Sequence, residues 1–284
     1  MQHPKPTVLI LGATSFIGNV IYHEICQFMD TYGTYSGVDV ELANNEAFYQ
    51  LDITTTSASE ILMAVQPSVI ISCLEGDFTS QYEALESIAF YIASHPESSL
   101  LYMSSSKVFD AKFQFPSYEY DTPAADSDIG KFTISVEKLL LKTIPDQVAI
   151  LRVPIVLGPY APEIIHLREA IKSKANFEVF PNRIISITTA NKVAQQVHYI
   201  IHKLKTGIFH LASEDVIHHE DLFVEICEKA HGKFPVFQQV FSRNEDSYLA
   251  ILPKENRLPK NYRITVQEVI NDCTLNEEIA SLKL

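Results

Sequence analysis

Paired cysteines are missing from this chain. The four it has, Cys26, Cys73, Cys227 and Cys273, stand far apart and form no CxxC, so nothing asks for a disulfide framework or a structural zinc. Cys73 lies in an apolar run and reads as a buried, reduced thiol. Long hydrophobic runs are missing too. Thr7-Val8-Leu9-Ile10-Leu11 is too short to span a bilayer, and Gly12 interrupts it before a signal-peptide core could form. A cytoplasmic protein is expected. Positive charge is scarce, with 22 Lys and Arg against 35 Asp and Glu and a net charge of −13. Such a surface repels phosphate backbones and anionic membranes, which argues against nucleic acid and membrane partners. It leaves room for one basic pocket that takes a phosphorylated small molecule. Ser104-Ser105-Ser106 has no GxSxG elbow around it, so a serine nucleophile is not expected. His198 and His202 share a helix face but have no glutamate or third ligand beside them, so no metal is expected.

What is present is an ordinary globular composition. The 284 residues are 46% hydrophobic and 20% charged, enough for one sizeable domain or two closely joined lobes. Short β-branched runs alternate with amphipathic stretches. Strands are expected at Val8–Leu11, Gly33–Ser36, Tyr49–Ile53, Val69–Cys73, Leu100–Ser104 and Val148–Val153. Helices are expected at Ile17–Met29, Ser59–Val65, Phe78–Ser94 and Lys131–Lys142, with a polar loop over residues 105–128. That alternation predicts an α/β fold with a doubly wound parallel sheet and right-handed crossovers. Past Pro154 the rhythm changes to helices at Glu163–Lys172, Lys192–Leu204 and His219–Ala230 with isolated strands such as Gly207–Leu211. Residues 1–154 therefore read as a dinucleotide-binding domain. Residues 155–284 read as a smaller α/β substrate lobe, with segments near 184–211 returning to the main sheet.

The first strand runs straight into Gly12-Ala13-Thr14-Ser15-Phe16-Ile17-Gly18. Gly12 permits the tight turn and Gly18 lets the helix pack close to the strand. The helix start at Phe16 and Ile17 then offers free N–H groups and a partial positive charge to a pyrophosphate. A turn that holds no ligand is the plain alternative. The second strand ends near Ser36, with Asp39 and Glu41 just beyond. A hydroxyl at Ser36 would leave room for a 2′-phosphate, whereas Asp39 would favour NAD, and the choice stays open. His218-His219 before Glu220-Asp221 suggests helix capping. The aromatics Phe109, Phe113, Phe115, Tyr118 and Tyr120 cluster in the long loop, where they could stack on a ring, dock a partner or simply pack.

These segments together resemble the extended short-chain dehydrogenase/reductases, and within them the dTDP-4-dehydrorhamnose reductase family. Ser15 stands at the middle glycine of that family's GxxGxxG. Asp52-Ile53 matches its acidic step beside the adenine, and Val69–Cys73 its apolar strand ending in Asn-Cys. Leu101–Asp110, Glu119-x-Asp121-x-Pro123, Arg152–Pro159 and Thr206–His210 match later segments, so the likeness covers most of the chain. It implies NAD or NADP bound by Gly12, Thr14, Ser15, Phe16, Ile17, Gly18, Ser36, Asp52, Ile53 and Cys73. The family's activity is hydride transfer to a keto-sugar, assisted by a strand-end hydroxyl and a Tyr-xxx-Lys pair. Here Ser105 falls on the hydroxyl position, but the tyrosine position is Ile129 and the lysine position Thr133. Glycine is kept at Gly130 and glutamate at Glu137. Tyr118, Tyr120 and Lys107 are the substitutes the neighbourhood offers, and Tyr199 with Lys203 is a spacing coincidence on another helix. Leu74-Glu75 replaces small residues after the cysteine, which crowds the cofactor and sets a carboxylate near its phosphates. Leu252-Pro253 replaces an Arg-Pro that helps hold the substrate diphosphate.

Three readings follow from the resemblance. One is a catalytically degenerate relative that binds NAD(P) or a nucleotide sugar and serves as a regulator, homo-oligomer or protein partner. The second is a working nucleotide-sugar reductase or epimerase with a replaced proton donor. The third is an interaction scaffold that has lost its cofactor.

Overall fold

The computed structural model describes residues 5–230, 232–241 and 243–281. In chain order the first elements are β1 (Thr7–Leu11), α1 (Phe16–Ile25), β2 (Asp30–Tyr35), α2 (Val40–Ala43), β3 (Phe48–Gln50), α3 (Ser59–Val65), β4 (Val69–Ser72) and α4 (Phe78–Ala93). Then come β5 (Ser99–Ser105), α5 (Asp128–Thr143), β6 (Val148–Val153), β7 (Ile155–Leu157), α6 (Pro162–Ser173), β8 (Asn176–Val179), β9 (Arg183–Ile185) and β10 (Ile187–Thr189). The last are α7 (Ala190–His202), β11 (Gly207–His210), β12 (Ile217–His218), α8 (His219–Lys229), β13 (Val236–Gln239), β14 (Ser247–Leu249) and α9 (Val266–Ser281).

Seven strands form one parallel sheet in the order β11-β6-β5-β4-β1-β2-β3, flanked by helices. The order reverses beside β1, which pairs with β2 on one side and β4 on the other. This is the doubly wound α/β fold that the strand–helix alternation predicts. The central strands have no polar face: Val8–Leu11, Val69–Ser72 and Val148–Val153 are buried throughout, as strands covered on both sides must be. Leu85, Ile88 and Ile92 of α4, with Val136 and Leu140 of α5, pack into the same cluster as Leu9, Ile70, Leu100 and Ile150. Where one helix stops, the stop is chemical. After α3, Gln66 adopts a left-handed φ of 48°, and Pro67 cannot continue the helix.

The chain falls into two compact units. One contains the residues up to Ser104 with Lys131–Arg152 and Val193–Phe209; the other contains Ser105–Gly130, Val153–Lys192 and the residues from His210 onward. Of the stretch 184–211, Gly207–His210 lies in the main sheet, while β9 and β10 pair in small sheets with β12, β14 and β7.

Several element boundaries differ from the sequence expectation. β2 begins at Asp30, because its polar start still pairs with Thr7 at the head of β1, and it ends at Tyr35, leaving Ser36 outside. The α1 helix stops at Ile25 and not at Met29, since the Phe28 and Met29 N–H groups both turn back to the Ile25 carbonyl. The polar loop contains a 3-10 turn, Ser106–Phe109, that buries Val108 and Phe109.

One polar group is sunk in the first unit's core. Arg152 is 1% exposed and Glu137 3%. The guanidinium donates to both carboxylate oxygens, at 3.0 and 2.7 Å, and Ser104 Oγ donates to Glu137 Oε1 at 2.5 Å. Removing one member strands a buried charge. Arg152→Met should therefore lower the unfolding free energy by about 3–5 kcal/mol. Adding Glu137→Leu to that variant should recover most of the loss in urea melts. A double variant no more stable than Arg152→Met would mean that the two charges are not coupled.

Candidate cofactor site

At the carboxyl end of β1 the chain turns through Gly12, at a φ of 76°. A Cβ there would lie 2.4 Å from the carbonyl oxygen of Cys73, and one on Gly18 would lie 2.2 Å from the carbonyl oxygen of Gly12. Both contacts are with backbone, so neither position admits a side chain. The loop is tied to β2 by Thr34, whose Oγ1 accepts from Gly12 N at 2.9 Å and whose carbonyl accepts from Ala13 N at 2.9 Å. Thr34 escaped the sequence reading; nothing in a strand interior marks a threonine as a loop anchor.

Ser15 is the N-cap of α1, and its hydroxyl accepts from Gly18 N at 3.1 Å. The first-turn N–H groups of Phe16 and Ile17 have no partner among the described residues, so the helix start keeps two donors for an anion. Gly12, Thr14, Ser15, Ser36, Asp52, Ile53 and Cys73, drawn from four separate stretches of sequence, all line one cavity of about 440 Å³. Phe16, Ile17 and Gly18 enter the helix behind it. The Ser36 hydroxyl has no partner among the described residues. Asp39 is spent on α2, where its Oδ1 accepts from the Glu41 and Leu42 N–H groups, both at 3.0 Å.

Asp52 accepts from the Thr54 N–H at 2.9 Å and the Thr54 hydroxyl at 2.6 Å. Those bonds hold its carboxyl below the usual range. The far wall is Cys73, Leu74, Glu75, Gly76 and Asp77. Leu74 turns partly into the core cluster. Asp77 caps α4, accepting from Ser80 N at 2.8 Å. Glu75 makes no hydrogen bond among the described residues and lines the cavity as a free carboxylate. Burial, and the charge of Glu75, push the Cys73 thiol up to about 12.

The chain fits a dinucleotide in its glycine turn, its open helix start and its polar cavity floor. Three carboxylates of the lining, Asp52, Glu75 and Asp77, are set against phosphate, and among the described residues Glu75 is the one of them with no hydrogen-bond donor.

Of the three positions carried over for catalysis, Ser105 and Ile129 belong to the second unit and Thr133 to the first. Ser105 Oγ accepts from Lys107 N at 3.2 Å. Ile129 is 45% exposed in the first turn of α5. Thr133 is 4% exposed, and its side chain hydrogen-bonds the phenol of Tyr102. Burial and the neighbouring Glu137 carboxylate hold that phenol well above its ordinary value. Gly130 meets the Lys107 carbonyl so closely that a Cβ would come within 2.5 Å.

The second unit pins the aromatic loop against the chain around β14. Ser117 N donates to Ala250 O at 2.8 Å, and Glu119 accepts from the Lys254 N–H with both carboxylate oxygens at 3.1 Å. Phe113, Phe115, Tyr118 and Tyr120 then line a cavity of about 600 Å³, whereas Phe109 is buried edge-on to His210. Tyr118 stacks on Tyr120 at 5.6 Å, and Lys254 Nζ lies 3.1 Å from the Tyr120 hydroxyl.

Two histidine expectations resolve differently. His198 sits 4.6 Å from the Phe28 ring with Nδ1 3.2 Å from Glu24. The capping role expected at His218-His219 is not what these side chains do. His218 occupies the N-cap of α8 but its ring makes no capping bond, and instead lies near Asp221 and Asp246. His219 is buried against Phe180 and Phe223. Arg183 stacks over Phe180 at 3.9 Å. Its guanidinium, lowered by burial, has no carboxylate partner among the described residues.

The family described as RmlD substrate binding domain matches residues 6–263. The chain belongs to that family. No curated protein matches it in sequence. Among solved structures it is similar to the dTDP-4-dehydrorhamnose reductase of Bacillus anthracis str. Ames in complex with NADP, at 18% identity and a TM-score of 0.77, over 97% of this chain and all of that one. The dTDP-glucose 4,6-dehydratase of the same organism, in complex with NAD, matches at 14% identity and 0.77, over 98% of each chain. The UDP-glucuronic acid 4-epimerase of Bacillus cereus, in complex with NAD, matches at 16% and 0.75, over 96% of this chain and 99% of that one. At such identities the likeness establishes the fold. Among the described residues, no helix is long and apolar enough to cross a membrane.

Burial and the Arg183 charge push the His219 imidazole down to about 4. The folded protein then holds His219 neutral while the unfolded chain protonates it below its ordinary value of about 6.5. The contribution to stability is fully present above pH 6.5 and is lost as pH falls toward 4, a loss of about 3 kcal/mol. Urea midpoints across that window should fall for the parent and stay flatter for His219→Phe. Parallel curves for the two would assign the acid sensitivity elsewhere.

Proposed function

We propose that this protein is a catalytically degenerate dTDP-4-dehydrorhamnose reductase-like protein that binds NADP(H), or a nucleotide sugar with it, and acts through the bound state on a partner or regulated process. The observation that carries the reading is the environment of Thr133. At the position matched to the family's lysine stands a buried threonine bonded to Tyr102. Beside it Glu137 is already satisfied by Arg152 and Ser104. With Ile129 at the matched tyrosine position, α5 carries no phenol to give the proton, and Thr133 leaves no ammonium at the matched position to tune one.

The binding half of the reading rests on the other cavity. Phe16 and Ile17 offer N–H donors, Ser36 offers a free hydroxyl, and Asp39 is engaged as a helix cap. That pattern favours the 2′-phosphate of NADP over a bare ribose. When bound, the dinucleotide supplies a hydride. This chain's residues cradle the pyrophosphate and orient the adenosine end.

A second reading has its own observation. Tyr120 and Lys254 pair a phenol with an ammonium at 3.1 Å, the combination missing from α5. On that reading the protein is an active nucleotide-sugar reductase or epimerase with a relocated proton donor, and Tyr120→Phe should cut turnover about 10²–10⁴-fold.

Titration of the protein with NADPH and NADH, followed by nicotinamide fluorescence and calorimetry, tests the proposal. Saturable binding is expected, tighter for NADPH. Glu75→Ala should tighten it by roughly 1 kcal/mol, because one carboxylate near the phosphates is removed. Absence of binding to either nucleotide by the folded protein would leave a ligand-free scaffold as the reading.

A further inference from the structure

Helices α6, α8 and α9 of the second unit enclose a cavity of about 450 Å³ that none of the preceding chemistry uses. Its walls are apolar: Ile164, Leu167 and Ile171 come from α6, Ile226 from α8, and Ala230 from the residue that ends α8. Cys227 and Cys273 complete the floor, both buried and unoxidised. A space of this size is within the range of small-ligand sites.

The polar residues of the lining share one sign. Arg168, Lys172 and Lys233 line the cavity, and among the described residues no carboxylate does. In a chain with 22 cationic and 35 anionic side chains, three cations and no acid among the described residues of one lining is a local inversion of the surface field. Arg168 is held in place by donating to the carbonyl of Pro159 at 2.5 Å. Lys172 and Lys233 are exposed and pair with no carboxylate among the described residues, so both ammonium groups remain available to a ligand.

We propose that this cavity binds a small amphipathic anion, a medium-chain alkyl carboxylate in class. Its tail lies against Leu167, Ile171 and Ile226, and its carboxylate meets Lys172 and Lys233. The apolar depth selects against small inorganic anions, and the cationic rim selects against neutral hydrocarbons. The inference does not depend on the cofactor reading, because every lining residue belongs to the second unit.

Calorimetry of the full chain with decanoate, and with acetate as the tail-less control, tests it. Decanoate should bind saturably and acetate should not. The double variant Lys172→Glu with Lys233→Glu changes only exposed side chains and should weaken decanoate by about tenfold or more, with an unchanged thermal melt and an unchanged NADPH titration. A second readout uses the absence of tryptophan from the sequence. In Ile171→Trp the single indole should shift its emission as decanoate saturates. No saturable decanoate binding would overturn the proposal. So would binding that the charge reversal leaves intact, or binding that leaves the indole emission unmoved.

Discussion

The carboxyl edge of the main sheet is organised around a crossing with no spare room. The carbonyl of Cys73, at the end of β4, presses against Gly12, and the carbonyl of Gly12 presses against Gly18 in the first turns of α1. A side chain at either glycine would force strand and helix apart. Because they stay together, the α1 start, the end of β2 at Tyr35-Ser36 and the turn at Asp52-Ile53 converge on one cavity. The same crossing explains both glycines without any ligand. What points to a cofactor is therefore the set of groups the glycines leave open, the Phe16 and Ile17 amides and the Ser36 hydroxyl, which have no partner among the described residues.

The α5 helix is a packing element along much of its length. Along α5, Val136 and Leu140 enter the core, Phe132 stacks on Phe78 at 4.5 Å, and Thr133 and Glu137 join a polar network with Tyr102, Ser104 and Arg152. Each polar atom of that network replaces water with a partner, which is what burial requires. A lysine at position 133 would enter beside a phenol already bonded and a carboxylate already paired. On the proposed reading the α5 site has been rebuilt for stability, and whatever the protein does with its ligand it does by holding it.

Much of the fold was legible because its signals were local. Val8–Leu11 and Val69–Cys73 are apolar without alternation, as doubly covered strands are, and Gly12 and Gly18 sit at the spacing a strand–turn–helix needs. The second half was harder to read. Short strands such as Arg183–Ile185 and Ile187–Thr189 carry three residues each, too few for periodicity to register, and their partners lie far along the chain. At the site, Ser36 and Asp39 could not be ranked from sequence, since a capping bond decides which one faces the cavity. Thr34 and Arg183 gave no sequence signal, because an anchor's role and an unpaired charge are both facts of tertiary structure. Glu119 matched a family acid, and its role proved to be a backbone pin for the loop that presents Tyr118 and Tyr120.

On the proposed reading the protein binds its ligand without transferring hydride, and one measurement addresses that separation directly. The protein, in excess and loaded with 4-deuterated NADPH, would be incubated for hours with a dTDP-4-keto-6-deoxyhexose, and the sugar nucleotide weighed by mass spectrometry. The account predicts no deuterium in the sugar, with the reduced nicotinamide recovered intact. Deuterium at the carbinol carbon would contradict it and would make the protein a working reductase whose proton comes from outside α5.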